Sequence, residues 1–148
     1  TPSPSPVHQR ISKRLMRILM AYFEERSIGE VFDAPIDLIL TDHDVFVPDL
    51  LVVGRAGDVS SRGIEGPPLL VVEILSPSTR RHDRGSKAQR YAELGVEHYW
   101  IVDPDERRIE CYRLVERTFR PCVDAEGGAI LAHPNWPGLE VDLAALWS

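Results

Sequence analysis

Apolar positions near the start of the chain recur at helical spacing. In "SPVHQRISKRLMRILMAYFEER" Ser5 suits the N-cap of a helix and Pro6 suits its first turn. One face of this predicted helix carries Ile11, Leu15, Ile18, Leu19, Tyr22 and Phe23. The basic residues on the other face are Arg10, Lys13, Arg14 and Arg17. We interpret that basic face as a solvated helix surface.

Three segments with extended character come next. The segment "GEVFDAPIDLIL" (29–40) alternates weakly and suits a bent or outer strand. "VFVPDLLVVG" (45–54) predicts a strand followed by a polar loop over residues 55–68. "LLVVEIL" (69–75) is the most apolar segment, which is typical of a central strand covered on both faces.

The second half of the chain begins with a turn-rich stretch, "SPSTRRHDRG" (76–85), and a short helix, "SKAQRYAELG" (86–95), which Gly95 ends. Residues 96–115 predict a strand pair joined by a turn at "DPDERR", and "TFRPCV" (118–123) adds another strand. A short strand and a helical turn close the chain. This order predicts a single mixed α/β (α+β) domain over residues 1–148, with helices packed on a central sheet.

Composition narrows the function classes. The chain has 148 residues and a net charge of −6, which argues against a surface coated in positive charge for nonspecific nucleic-acid binding. Its apolar runs are shorter than the roughly 20 residues that cross a bilayer, so we expect no membrane span. Cys111 and Cys122 are too few for a zinc site or a disulfide framework, and we expect reduced thiols in a cytoplasmic setting. Because the chain starts at Thr1 without a basic-then-apolar leader, we expect a trimmed chain with no signal peptide.

Glu73 lies inside the most apolar segment, where an ionised carboxylate needs a partner. Asp49 follows Pro48 at the start of the preceding strand, where it suits either a turn or a ligand position. Lys87 falls in the first turn of the second predicted helix, for which Asp83 is a natural N-cap. Helical side chains lean toward the N-terminus, so the Lys87 ammonium should point back toward Glu73.

Together these residues suggest a definite chemistry. Two carboxylates at neighbouring strand ends form a hard-oxygen site suited to Mg²⁺ or Mn²⁺. A lysine beside them can orient a water or neutralise charge on a phosphoryl group. The same segment is crowded with arginines that could contact phosphate: Arg80, Arg81, Arg84 and Arg90. The pattern therefore indicates a metal-dependent phosphodiesterase site.

Four motifs carry a resemblance to a known family: "PDLLVV", "VVEILSPST", the spaced Asp83, Lys87 and Tyr91, and "GVEHYWIVDP". Together they resemble the Uma-type family of restriction endonucleases over nearly the whole chain, without the part of the family domain that precedes the first helix. Members of that family are similar to the PD-(D/E)XK nuclease superfamily. The resemblance implies a restriction-endonuclease-like mixed sheet flanked by helices.

The resemblance also implies roles for single residues. Asp49 matches the Asp of the "PD" motif and Glu73 matches the acidic residue of "(D/E)XK", so both would bind Mg²⁺. The lysine position of that motif is Leu75 here, and Lys87 on the following helix takes its place. Asp83 would cap or support the site, and Tyr91 would pack. The implied substrate is DNA, and the implied assembly is a homodimer, because cutting both strands needs two sites.

Two other interpretations remain open. The chain could be a nuclease-fold module that binds nucleic acid or a partner protein and cleaves nothing. Alternatively, Glu73 and Lys87 could form only a structural ion pair. His8 lies near the start of the first helix and could approach the site, but we interpret it as a surface residue near a helix cap. We interpret His98 as a strand residue with a satisfied ring and "DPDERR" as a hairpin turn.

Overall fold

The computed structural model describes residues 4–76 and 85–148. Its α-helices are α1 (Pro6–Leu19), α2 (Ser86–Glu93) and α3 (Leu143–Trp147). Helix α1 continues into a π-helical turn at Met20–Glu24. The Ser5 hydroxyl accepts a hydrogen bond from the His8 backbone N–H at 3.1 Å, so the predicted N-cap of α1 is confirmed.

The strands are β1 (Glu30–Asp33), β2 (Leu38–Ile39), β3 (Val45–Phe46), β4 (Leu50–Val53), β5 (Val59–Ser60), β6 (Gly63–Glu65), β7 (Leu70–Ile74), β8 (His98–Asp103), β9 (Arg108–Val115), β10 (Thr118–Glu126), β11 (Ile130–Ala132) and β12 (Glu140–Asp142). Within the described residues, six strands form the main sheet in the order β1-β4-β7-β8-β9-β10. Strands β7 and β8 pair in parallel, and the other neighbours pair antiparallel. The mixed sheet flanked by helices confirms the predicted fold class.

The main sheet separates two apolar cores. Leu70 and Val72 of β7 pack into the core that includes the apolar face of α1. Val71, next to them in sequence, points to the opposite face and joins the core that includes Tyr91 of α2. Because β7 is buried on both faces, it needs the continuous apolar run that predicted a central strand.

Two predicted strands are each divided in the structure. Segment 29–40 forms β1 and β2, and segment 45–54 forms β3 and β4. Pro48 lies between β3 and β4, where its missing N–H cannot take part in a sheet ladder. Strands β1 and β4 join the main sheet, whereas β2 and β3 belong to a second sheet with the order β3-β2-β6-β5.

The polar stretch over residues 55–68 was predicted as a loop, and this prediction is wrong. It contains the β5–β6 hairpin, whose strands pair antiparallel through Val59 and Ile64. Gly63 has a φ of +140°, and a Cβ there would lie 2.4 Å from the Asp37 carbonyl oxygen. Only glycine fits this close approach, so Gly63 permits the contact with the Asp37 backbone as well as the β5–β6 turn.

A group of aromatic rings in the first core contains two buried histidines. His98 lies in β8 and its ring centroid is 4.3 Å from that of Trp136 and 5.6 Å from that of His133. His98 Nδ1 and His133 Nε2 have no hydrogen-bond partner among the described residues. The expectation of a satisfied His98 ring is therefore wrong. Burial in this apolar cluster lowers the pKa of each histidine to about 4.

The cysteines and the helices bear on two expectations from composition: reduced thiols and no membrane span. Cys111 and Cys122 are free thiols, as expected for reduced cysteines. In the part of the chain that the structure describes, no helix has both the length and the apolar character that bilayer crossing requires.

Candidate active site

Asp49 and Glu73 lie opposite each other at one end of the neighbouring strands β4 and β7, inside the main sheet. Strands β4 and β7 run antiparallel with Leu50 paired to Val72, and one further step along this register reaches the two acids. Opposed residues of an antiparallel ladder point to the same face of the sheet. Glu73 is only 2% exposed, so its carboxylate is inside the molecule.

Backbone amides fix the orientation of both carboxylates. The Asp49 N–H donates a hydrogen bond to Glu73 Oε1 at 3.1 Å. The Ile74 N–H, directly after Glu73, donates to Asp49 Oδ2 at 2.7 Å. Each acid is therefore held by the backbone of the opposite strand, and the second oxygen of each, Asp49 Oδ1 and Glu73 Oε2, faces a side chain from a helix.

Lys87 is the side chain that faces Glu73. It is the second residue of α2, and its Nζ forms an ion pair with Glu73 Oε2. The Lys87 side chain is 17% exposed, so the ammonium is largely inside the protein. Leu75, two residues after Glu73, is buried in the second core, and the ammonium beside Glu73 comes from α2 instead.

His8 is the side chain that faces Asp49. Its Nε2 lies 3.2 Å from Asp49 Oδ1, and the hydrogen bond to this carboxylate raises the pKa of His8 while partial burial opposes the rise. The sequence interpretation of His8 as a surface residue is therefore wrong. A signal was present, because position 8 shares the helical spacing of the buried residues Ile11, Leu15 and Leu19.

Arg90 does not belong to a free phosphate-binding patch. Its Nε and Nη2 donate to Asp44 Oδ1 and Oδ2 at 2.9 and 2.8 Å. This two-pronged hydrogen bond holds the pKa of Asp44 at about 2. Arg90 therefore ties α2 to the segment between β2 and β3, and the expectation that it contacts phosphate is not supported by this geometry.

Four other residues predicted for the site, Arg80, Arg81, Asp83 and Arg84, lie outside the described residues. The N-cap position of α2 is Gly85 and it makes no side-chain hydrogen bond. The role predicted for Asp83 as a cap or supporting residue stays a prediction. Tyr91, predicted as a packing residue, is fully buried in the second core.

The carboxylate pair fits a hard divalent cation. In residues 4–76 and 85–148, no group of three or more His, Cys, Asp or Glu side chains is arranged to hold a metal ion. Mg²⁺ does not need such a group, because it is commonly held by one or two carboxylates and keeps several waters. Asp49 and Glu73 supply that donor set, with fixed oxygens at the end of β4 and β7.

The fold is also found in a solved structure. A protein of Anabaena variabilis ATCC 29413, described as "a putative nuclease belonging to DUF820", superposes with a TM-score of 0.76. The superposition covers 99% of this chain and 83% of that chain, at 21% sequence identity. The two proteins therefore share a fold.

The sequence comparisons identify the family. Residues 1–144 match the family described as "Uma2: Putative restriction endonuclease". The "Uncharacterized protein slr1290" of Synechocystis sp. (strain ATCC 27184 / PCC 6803 / Kazusa) is 32% identical over 108 residues, which are 71% of this chain and 56% of that protein. The chain spans about half the length of this curated relative. It belongs to the Uma2 family, and the predicted family is confirmed.

Proposed function

We propose that this chain hydrolyses phosphodiester bonds of DNA, with Mg²⁺ or Mn²⁺ bound by Asp49 and Glu73. One observation carries the proposal: the two carboxylates are held face to face by the amides of Asp49 and Ile74 while Lys87 reaches Glu73 from α2. Membership of a family described as restriction endonucleases supports the same chemistry.

Each residue of the site has its own role in the proposed hydrolysis. The attacking water releases a proton to solvent as its oxygen bonds to phosphorus, and the ester bond to the leaving oxygen breaks as that oxygen takes up a proton from solvent. The Lys87 ammonium orients the water and offsets the negative charge that develops on the phosphoryl oxygens. His8 holds the Asp49 carboxylate in place through its contact with Oδ1. Asp49 and Glu73 would hold the divalent cation, which would supply a lowered pKa for a water and polarisation of a phosphoryl oxygen.

Nicking of supercoiled plasmid tests this proposal. The intact protein should convert plasmid to the open-circular form with Mg²⁺ or Mn²⁺, and Glu73→Gln should lower the rate by at least about 100-fold. Glu97→Gln is the matched control, because Glu97 is exposed and lies outside the site. Circular dichroism should show that both variants are folded. Equal rates for Glu73→Gln and the intact protein would contradict the assignment.

Metal binding can be tested without activity. Titration of Mn²⁺ by calorimetry should show binding to the intact protein and loss of binding in Asp49→Asn. A module that binds a partner and cleaves nothing would give no plasmid nicking even with Mn²⁺ bound. Unchanged Mn²⁺ affinity in Asp49→Asn would mean that the metal binds elsewhere and would remove the basis of the proposed mechanism.

A further inference from the structure

A cleft of about 490 Å³ lies between α2 and the β9–β10 hairpin. We call it the hairpin cleft. Small residues of α2 form one wall, and aromatic residues of the strands form the other: Ala88 and Ala92 against Tyr99, Tyr112 and Phe119. Asp49 and Glu73 are not among its lining residues, so the cleft is a separate concave site. It borders α2, the helix that also carries Lys87.

The aromatic wall of the hairpin cleft is flat. The rings of Tyr99 and Phe119 stack with centroids 5.3 Å apart and an interplanar angle of 15°. Tyr99 is 1% exposed, whereas Phe119 is only half-buried and leaves ring surface accessible to the cleft. A partly exposed ring supported from behind by a second ring is a suitable platform for a planar aromatic ligand.

Arg117 lies at the rim of the cleft, at the tip of the hairpin. Val115 pairs with Thr118, so Glu116 and Arg117 form a two-residue turn. Their φ angles are 51° and 65°, in the left-handed region where Asn and Gly are preferred. Among the described residues Arg117 makes no ion pair, and Glu93 on the opposite rim is paired with Arg90 at 3.3 Å. Arg117 therefore places an exposed guanidinium at a backbone position that is unfavourable for arginine.

The cleft and the candidate active site share the first turn of α2. Gly85 and Ala88 line the cleft, and Lys87 lies between them in sequence and faces Glu73. A helix with its side chains is only about 10 Å across, so a strand with a phosphate at Lys87 can place a nearby base in the cleft.

We propose that the hairpin cleft binds one unpaired base of single-stranded or locally opened DNA, stacked on Phe119 with an adjacent phosphate at Arg117. The inference rests on the proposed function, because it assigns a substrate contact for the same site. The chemistry of the cleft matches a nucleotide: the aromatic platform suits a base, and the guanidinium suits its phosphate. The chain has a net charge of −6, and Arg117 provides a local anion contact at the rim of the cleft.

Binding of a fluorescein-labelled single-stranded oligodeoxynucleotide, followed by anisotropy in EDTA, tests the cleft without cleavage. The intact protein should bind this strand more tightly than the duplex of the same sequence. Phe119→Ala should raise the Kd of the single strand by about 5- to 100-fold, the range expected for loss of one base–aromatic stack. A 2-aminopurine base in the strand should lose fluorescence on binding to the intact protein and lose less with Phe119→Ala.

Two variants of the turn separate binding from folding. Arg117→Gly should raise the Tm, because glycine tolerates the left-handed conformation, and should also raise the Kd by at least about threefold through loss of a phosphate contact. Glu116→Asn is the matched control in the same turn. It should raise the Tm without raising the Kd.

The outcomes distinguish this inference from the proposed function. If Arg117→Gly and Phe119→Ala leave the Kd unchanged, the cleft does not bind a base, whether or not the protein nicks plasmid. If they raise the Kd but the intact protein nicks no plasmid, the cleft assignment holds and the proposed function fails. Dissociation of a dimer by Arg117→Gly with no change in Kd would identify the cleft as a contact between copies of the chain and overturn the proposal.

Discussion

The buried carboxylate of Glu73 is costly to keep, and its contacts offset that cost. Removal of a carboxylate from water is unfavourable by several kcal/mol unless hydrogen bonds and an opposite charge compensate. Glu73 receives the Asp49 N–H on one oxygen and the Lys87 ammonium on the other. An apolar residue would fill the same strand position without this arrangement, so the acid is better explained by chemistry than by stability.

Lys87→Met should reveal this cost. The variant leaves a charged group inside the protein without its ammonium partner, and the free energy of unfolding should fall by about 3–5 kcal/mol. Lys13→Met, on the exposed face of α1, should change it by less than about 0.5 kcal/mol. Urea unfolding at neutral pH measures both.

The double variant Glu73→Leu with Lys87→Met separates stability from function. It should regain part of the lost stability, because the buried charges of Glu73 and Lys87 are both removed while the Asp49 N–H loses its acceptor, and nicking should stay abolished. A double variant that keeps nicking activity would show that the ion pair is purely structural. Such a result would support the interpretation of Glu73 and Lys87 as a structural pair.

At the scale of elements, α2 is the helix that presents both Lys87 and the wall of the hairpin cleft. Its packing face is small, with Tyr91 and Ala92 as its buried residues. The contact between Arg90 and Asp44 adds a polar attachment to the second sheet. Because α2 has only 8 residues, we infer that it depends on such attachments to keep Lys87 in position.

Asp44→Asn should therefore affect the site from a distance. The variant weakens the two-pronged contact, and we expect plasmid nicking to fall by about tenfold because small displacements of catalytic groups are costly. The Tm should change little, since Arg90 is at the surface. Faster hydrogen exchange of the α2 amides would report the loosened helix. Glu65→Gln, which removes the surface pair with Arg62 at 3.0 Å, is the control and should leave nicking and α2 exchange unchanged.

The sequence predicts local elements better than contacts between them. Ser5, Pro6 and Gly95 mark helix ends through local backbone chemistry, and β7 is evident from its apolar run. The contact of Arg90 with Asp44 joins residues 46 positions apart, and no periodicity encodes it. The position of Lys87 beside Glu73 is foreseeable because helix geometry and a buried charge both point to it. Residues 45–54 form two strands because β3 and β4 join different sheets, and this depends on tertiary packing that the local sequence does not show.

At the scale of the whole molecule, the candidate site forms where the two layers around the sheet meet. Helix α1 packs on one face and α2 on the other, yet His8 and Lys87 both reach the same end of β4 and β7. The sheet supplies the acids and each layer supplies one nitrogen-bearing side chain. A change in the packing of either core can therefore alter the site, so the stability of the cores and the proposed activity are linked.

The histidines of the first core should make the stability of the molecule depend on pH. The pKa of His98 and of His133 is lowered to about 4 in the folded protein, against 6.5 for an ordinary histidine. The unfolded chain therefore binds more protons between these values, and the free energy of unfolding should fall as the pH drops from 6.5 toward 4. Each histidine contributes up to about 1.4 kcal/mol per pH unit.

His98→Phe isolates one of these contributions, because phenylalanine keeps the contact with Trp136 and cannot take up a proton. The pKa of His8 is raised, so its effect on stability has the opposite sign, but it is present in both proteins and cancels in the comparison. Asp44, with a pKa of about 2, loses its contribution only below about pH 4. Urea unfolding between pH 7 and 5 should therefore show the stability of His98→Phe falling less steeply than that of the intact protein. Parallel curves would mean that His98 does not titrate on unfolding in this range, which would contradict its burial as a neutral ring.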